Sequence, residues 1–315
     1  MTHYYPADSS KTPRFTGVRT FARLPHVQDL TDVDLAVIGL PFDTGVTYRV
    51  GARFGPEAVR SASAMLRAYN PELKVKPFDI LSCVDYGDAT VYPGFILESY
   101  ESITATLQQV ASQGVIPLDI GGDHSIALAE LRGLAAVHGP LALVQFDSHG
   151  DLWDRYYERF EYTHGTPFRR ALEEGLLVAE RSVQLGMRGG VYGEEDLQIA
   201  RDFGFTMLTT SELLTKTPAE IGALVRQTVG DAKAFLSFDI DFFDPAFAPG
   251  TGTPEVGGPT SFQGLQYLRA CTGINWIGGS VVEVLPAYDP SQITAQLGAQ
   301  VAYEFMSLVA LERVQ

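Results

Sequence analysis

Residues 141–151 read LALVQFDSHGD. The first six form an almost unbroken apolar run. That pattern suits a strand buried on both faces of a parallel sheet, where a half-exposed strand would alternate. The character then changes at once, with Asp147, His149 and Asp151 at spacings of two. If the chain stays extended there, all three side chains point the same way, because a strand repeats every two residues. A buried strand that runs directly into acidic and imidazole groups is the carboxyl edge of an α/β sheet, where such folds keep their sites.

Similar runs recur on both sides of this one: Val33–Leu40, Ile80–Val84, Val115–Ile120, Ser182–Leu185, Phe205–Leu208, Ala234–Ile240 and Trp276–Val284. Helical patterns separate them. Thr217-Pro-Ala-Glu220 is a capping box with Pro218 at the first helical position and Gly230 past the end. Gly55-Pro56 precedes a predicted helix over Glu57–Ala68, and Asp289-Pro290 opens a last helix with Ala295, Ala299 and Ala302 on one face. Length alone would allow two domains. The alternation of strand and helix implies one doubly wound α/β domain over 31–315, with residues 1–30 as an arm packed on it.

Two further strand ends carry chemistry. Ala234-Phe-Leu-Ser-Phe runs into Asp239-Ile240-Asp241, and Val115–Ile120 runs into Gly121-Gly122-Asp123-His124. Ionised aspartates beside apolar strands are costly unless paired or metal-bound. No lysine or arginine lies within either acidic motif to neutralise it. The bland reading of any one motif is a helix cap beside a core histidine. Taken together, His124, Asp147, His149, Asp151, Asp239 and Asp241 match the charge of two divalent cations. Oxygen-rich ligation with two nitrogens favours Mn2+, with Ni2+, Co2+ or iron as alternatives. Two such ions supply a nucleophile from water at neutral pH.

Two more residues suit roles near such a centre. His164, in the turn-rich stretch Tyr162-Thr-His164-Gly-Thr-Pro-Phe168, has a side chain that shuttles protons near pH 7. Glu283 ends the run Ile277–Val284, where a lone carboxylate needs a partner; a substrate guanidinium suits it as a bidentate donor. An ordinary loop histidine and a structural salt bridge are the plainer readings of these two.

Composition excludes other classes. With 38 carboxylates against 23 Lys+Arg and a formal charge of −15, the chain lacks the basic surface that nucleic acid or an anionic membrane requires. The two cysteines, Cys83 and Cys271, form no CxxC pair and fit a reducing compartment. No leader pattern or membrane-length apolar run is evident, so a cytoplasmic location is expected.

The set Gly121-Gly-Asp-His124, Asp147-x-His149-x-Asp151, Ser237-Phe-Asp239-Ile-Asp241-x-x-Asp244-Pro245 and Ala248-Pro-Gly-Thr-Gly-Thr-Pro254 resembles the ureohydrolases, the family of arginase, agmatinase, guanidinobutyrase and proclavaminate amidinohydrolase. The likeness extends from Gly39-Leu-Pro-Phe-Asp43 and Gly51-Ala-Arg-Phe-Gly-Pro56 to Val282-Glu-Val-Leu-Pro-Ala-Tyr-Asp289. It implies a three-layer α-β-α sandwich around an eight-stranded, mostly parallel sheet, with two Mn2+ per subunit. One ion would be held by His124, Asp147, Asp151 and Asp239, the other by Asp147, His149, Asp239 and Asp241. His164 matches the proton-shuttle position and Glu283 the guanidinium-binding glutamate. The resemblance also implies a homotrimer or homohexamer. This chain has Ser148 where the family usually has Ala, a small change at a residue that is not a ligand.

The expected reaction is hydrolysis of a small alkylguanidine to urea and an amine, with Asp151 passing the proton to the departing amine and His164 relaying protons from solvent. Leu152-Trp153-Asp154 and the stretch around His164 tilt the likeness toward a guanidino acid such as 4-guanidinobutanoate. Agmatine and a very small guanidine compound stay open. Trp153, Tyr48, Arg49 and Tyr162 are wall candidates. A phosphoesterase would draw basic residues to the motifs, which show few. A catalytically silent partner subunit would lack a ligand or Glu283, and neither is missing.

Overall fold

The structure, a computed structural model, describes residues 2–193 and 195–314. Eight strands form one sheet: β1 (Leu35–Leu40), β2 (Cys83–Asp88), β3 (Ile116–Gly121), β4 (Ala142–Phe146), β5 (Val183–Met187), β6 (Thr206–Thr209), β7 (Ala234–Asp239) and β8 (Trp276–Val282). Their order is β2-β1-β3-β8-β7-β4-β5-β6 and every pairing is parallel. The expected three-layer α-β-α arrangement is what forms. Alternate residues of a strand feed opposite cores. Leu35 and Val37 join the layer containing Val59, Ile221, Leu268 and Phe305, whereas Ala36, Ile38 and Leu40 join the layer containing Tyr100, Leu107, Leu131 and Phe168. Burial on both faces explains the continuous apolar runs.

The predicted capping box at Thr217 and Glu220 forms at the head of helix Pro218–Val229, and a second joins Thr260 to Gln263 before helix Ser261–Arg269. Two helix limits differ from expectation. The first helix ends at Ser63, because Met65 and Leu66 bond back three residues, to Ala62 and Ser63, in a tightened turn. The last helix runs Ile293–Val314, since Gln292 at φ 57° cannot continue a right-handed helix. Asp289 Oδ2 instead accepts from Ala295 N at 2.9 Å, and Ala295, Ala299 and Ala302 are all buried. Strand β8 stops at Val282 because Glu283 turns to φ 62°.

The four central strands β3, β8, β7 and β4 are neighbours, so their carboxyl ends lie side by side. Beneath two of those ends sits an aromatic platform. Phe146 stacks on Phe238 at 5.1 Å, and Phe242 meets both edge-on at 5.3 and 5.5 Å. All three are buried, and each fully buried ring of this kind contributes roughly 1.5–3 kcal/mol. They set the heights from which Asp147, Asp239 and Asp241 project. Among the described residues, no helix is long and apolar enough to cross a membrane.

Candidate metal centre

Past β3 the chain makes a close approach that only glycine permits. A Cβ on Gly122 would lie 1.7 Å from the Phe42 carbonyl oxygen. Gly122 O accepts from Glu283 N at 2.8 Å, tying the end of β8 to the end of β3. Asp123 then caps the short turn His124–Ile126, with Oδ1 accepting from Ser125 N at 2.9 Å and Oδ2 from Gly45 N at 2.8 Å. His124 is thereby turned inward, with Nε2 2.7 Å from Ser237 Oγ of β7.

The other nitrogen of His124 faces acid. Nδ1 lies 2.8 Å from Asp151 Oδ2, 3.1 Å from Asp147 Oδ2 and 3.4 Å from Asp239 Oδ2. It makes no well-formed hydrogen bond and is fully enclosed. Beside this group, His149 Nδ1 lies 3.0 Å from Asp241 Oδ2 and 3.6 Å from Asp147 Oδ1. Two sets could each surround one ion, His124 with Asp147 and Asp239, and Asp147 with His149 and Asp241; Asp147 belongs to both. Asp151 Oδ2 lies beside the first set, 2.8 Å from His124 Nδ1.

The route by which these side chains converge differs from a straight strand. The chain bends after Phe146, and Asp151 adopts φ 51°. Asp147 stays at the sheet edge, its N–H bonded to Leu185 O at 3.0 Å, while His149 and Asp151 diverge to opposite sets.

The electrostatics fit cations. Asp147, Asp151, Asp239 and Asp241 are all buried, and among the described residues no arginine or lysine forms an ion pair with them. Burial and the charges of Asp241 and Asp147 push the Asp239 carboxyl well above the usual range. Burial and Asp147 raise Asp151. Burial opposes protonation of His124, but the close carboxylates of Asp147, Asp151 and Asp239 outweigh it and lift the imidazole well above its ordinary value. A cluster that must take up protons to exist without a cation is a good donor set for one. The enclosed, unbonded Nδ1 of His124 supplies the second sign of fit.

Several supporting residues were missed in the sequence. Gln145 Nε2 donates to Asp147 Oδ2 at 2.8 Å, and Gln184 Nε2 donates to Gln145 Oε1 at 2.5 Å. Ser148 has a larger part than a spectator: its Oγ donates to Asp241 Oδ1 at 2.7 Å. Arg188 gathers the carbonyls of Asp241, Phe242 and Phe243, clamping the loop after β7. The readable signal was a polar Gln145 or Ser237 inside an otherwise apolar strand.

Glu283 and His164 sit against this cluster. Glu283 Oε1 accepts from His124 N and from His164 Nδ1, both at 3.0 Å, while Oε2 is buried with no partner. A Cβ on Gly252 would lie 3.2 Å from Oε2, so glycine there spares the carboxylate a tight contact. A pocket of about 350 Å³ opens here, bordered by Thr47, His149, Trp153, Tyr156, His164 and Thr253. Of the wall candidates, Trp153 borders it. Tyr162 instead packs edge-on against Tyr100 at 6.0 Å, and Arg49 stacks between Tyr48 and Tyr288.

Comparison with known proteins agrees with this geometry. The chain is 43% identical over 308 residues to guanidinopropionase of Pseudomonas aeruginosa, covering 98% of this chain and 96% of that one. It is 41% identical over 304 residues to mitochondrial agmatinase of Gallus gallus, covering 96% and 89%. The solved structure of proclavaminate amidinohydrolase from Streptomyces clavuligerus superimposes with a TM-score of 0.90 at 38% identity, covering 96% of this chain and all of that one (100%). Residues 33–307 match the arginase family as a unit, and with near full-length identity and the shared fold, the chain belongs to that family.

Proposed function

We propose that this arginase-family hydrolase holds two divalent cations and cleaves the guanidino group of a small alkylguanidine to urea and an amine. His124, Asp147, Asp151 and Asp239 would hold one ion, and Asp147, His149, Asp239 and Asp241 the other. Mn2+ suits these oxygen-rich donors, with Ni2+ or Co2+ as alternatives. When bound, two such ions would supply a hydroxide nucleophile from water near neutral pH.

The observation that carries the reading is Glu283. Its Oε1 is occupied and its buried Oε2 has no hydrogen-bond partner, while its neighbour His164 borders the pocket, so an acceptor is left for a cationic N–H donor. Binding there orients the guanidinium carbon toward the acidic cluster. Asp151, against His124, and His164, against Glu283, are the groups set to move the proton that the departing amine needs.

A guanidino acid is the favoured substrate, supported by the guanidinopropionase relative and by the motif likeness. Its carboxylate would meet a hydroxyl such as that of Tyr156. One observation favours agmatine or a very short guanidine: the described residues bordering the pocket include no lysine or arginine. A urea-release panel with arginine, agmatine, 4-guanidinobutanoate, 3-guanidinopropanoate and guanidine decides, each with manganese, nickel or cobalt added. No urea from any of them overturns the reading.

The remaining parts of the proposal are organisational. Residues 31–315 act as one catalytic domain and 1–30 as an arm. Support comes from Phe21, buried with its N–H on Asp85 Oδ2 at 2.7 Å. The family likeness supports a homotrimer or homohexamer, which sedimentation distinguishes. The two buried free cysteines suit the cytoplasm.

A further inference from the structure

The ring of His164 meets a different kind of group at each nitrogen. Nδ1 lies 3.0 Å from Glu283 Oε1, while Nε2 lies 3.1 Å from Thr47 N and 2.8 Å from Thr47 Oγ1. A main-chain N–H can only donate. Nε2 is therefore an acceptor, and the ring proton sits on Nδ1, directed at the carboxylate.

The segment that supplies Thr47 is fastened on both sides. Buried Asp43 accepts from Gly51 N at 2.7 Å and from Arg53 Nε at 2.5 Å, and Gly45 O accepts from His164 N at 2.9 Å. His164 is only 8% exposed. Thr47 is half-buried and, like His164, borders the pocket, so its hydroxyl meets Nε2 at the pocket's edge. The charged groups around the ring are Glu283 at Nδ1, with Asp123 and Asp151 beyond.

We infer that Thr47 is a positioning and relay residue for His164. Its hydroxyl carries protons between pocket water and Nε2, and its main-chain N–H holds the ring in the Nδ1–H form. The inference rests on the proton-transfer role proposed for His164. When Nδ1 gives its proton to the departing amine, the Thr47 O–H passes its hydrogen to Nε2 and the Thr47 oxygen takes one from solvent. The resulting Nε2–H opposes the Thr47 main-chain N–H, donor against donor. The ring returns to its first form as that proton leaves through Thr47 and Nδ1 takes one from the water consumed in hydrolysis. One hydrogen thus moves from that water to the amine, and the solvent proton is returned.

Thr47→Val keeps the side-chain shape and the main-chain N–H and removes only the hydroxyl. The expected result is a kcat at least about tenfold lower, a share of the ~10²–10⁴ that a positioned acid–base group contributes. KM and metal content stay as they were. Raising the concentration of 4-methylimidazole at fixed pH returns part of the lost rate, and Thr47→Ser returns most of it. A Thr47→Val enzyme with undiminished kcat overturns the inference. So does a loss that neither 4-methylimidazole nor serine relieves, or one that tracks lost metal or raised KM. His164→Asn separates the two levels: if it keeps full kcat, the His164 role fails and the relay with it. If His164→Asn is impaired and Thr47→Val is not, only the relay fails.

Discussion

Ser237 Oγ lies 2.7 Å from His124 Nε2, and this one contact decides which nitrogen of His124 meets the acidic cluster. Partners that orient a ligating histidine typically carry about 10–100-fold in metal affinity. Ser237→Ala is expected to weaken metal retention by that order while leaving the fold intact. Competition with a chelator measures it; unaltered affinity would show that His124 is positioned by its backbone alone.

Asp239 ends β7, approaches His124 and also caps the turn Ile240–Phe242 by accepting from Asp241 N at 2.8 Å. Asp239→Ala should abolish both metal retention and urea release. Elemental analysis checks the first and a urea assay the second. Full activity with two ions bound would refute the assignment.

Removing metal should make stability depend on pH in a definite direction. In the metal-free protein the imidazoles of His124 and His149 are raised well above 6.5, despite burial, by the surrounding aspartates. A base with a raised folded pKa contributes stability that is complete below its unfolded value and is lost as pH climbs through the folded one. The raised carboxyls of Asp239 and Asp151 act in the same sense. Asp147, lowered by His124 and His149 against the effect of burial, loses its contribution only in acid. Melting temperature in chelator should therefore fall as pH rises above about 6.5, and excess Mn2+ should flatten the curve. A metal-free melting temperature that rises over that range contradicts the reading.

Glu283→Gln keeps an acceptor for His124 N and His164 Nδ1 but removes the charge at Oε2. Hydrogen bonds to charged groups are worth about 1.5–3 kcal/mol, so kcat/KM should fall roughly 10–100-fold or more with both ions still bound. Steady-state kinetics alongside metal analysis tests this. Loss of metal in the variant would move Glu283 from the substrate to the centre.

The parts of this arrangement differ in how far they could be read in advance. The strands were visible because burial on both faces leaves continuous apolar runs, and the six metal-binding candidates because ionised groups at the ends of such runs are conspicuous. Limits were less visible. Glu283 and Gln292 end regular structure through positive φ, which neither residue type announces. Trp153 could be expected near the pocket, but Tyr156 beside it was not singled out.

Chain order and residue chemistry alone determined the α/β class, the clusters His124, Asp147–Asp151 and Asp239–Asp241, and the family likeness. These are local properties: hydrophobic runs, and charges that apolar neighbours cannot solvate. Strand order was decided only in three dimensions, and with it the fact that β3, β8, β7 and β4 deliver their ends to one place. The choice of His124 nitrogen by Ser237, the free Oε2 of Glu283 and the grip of Thr47 on His164 belong to the same class. The two contacts each join residues more than a hundred positions apart, and no local pattern encodes a distance that only packing sets.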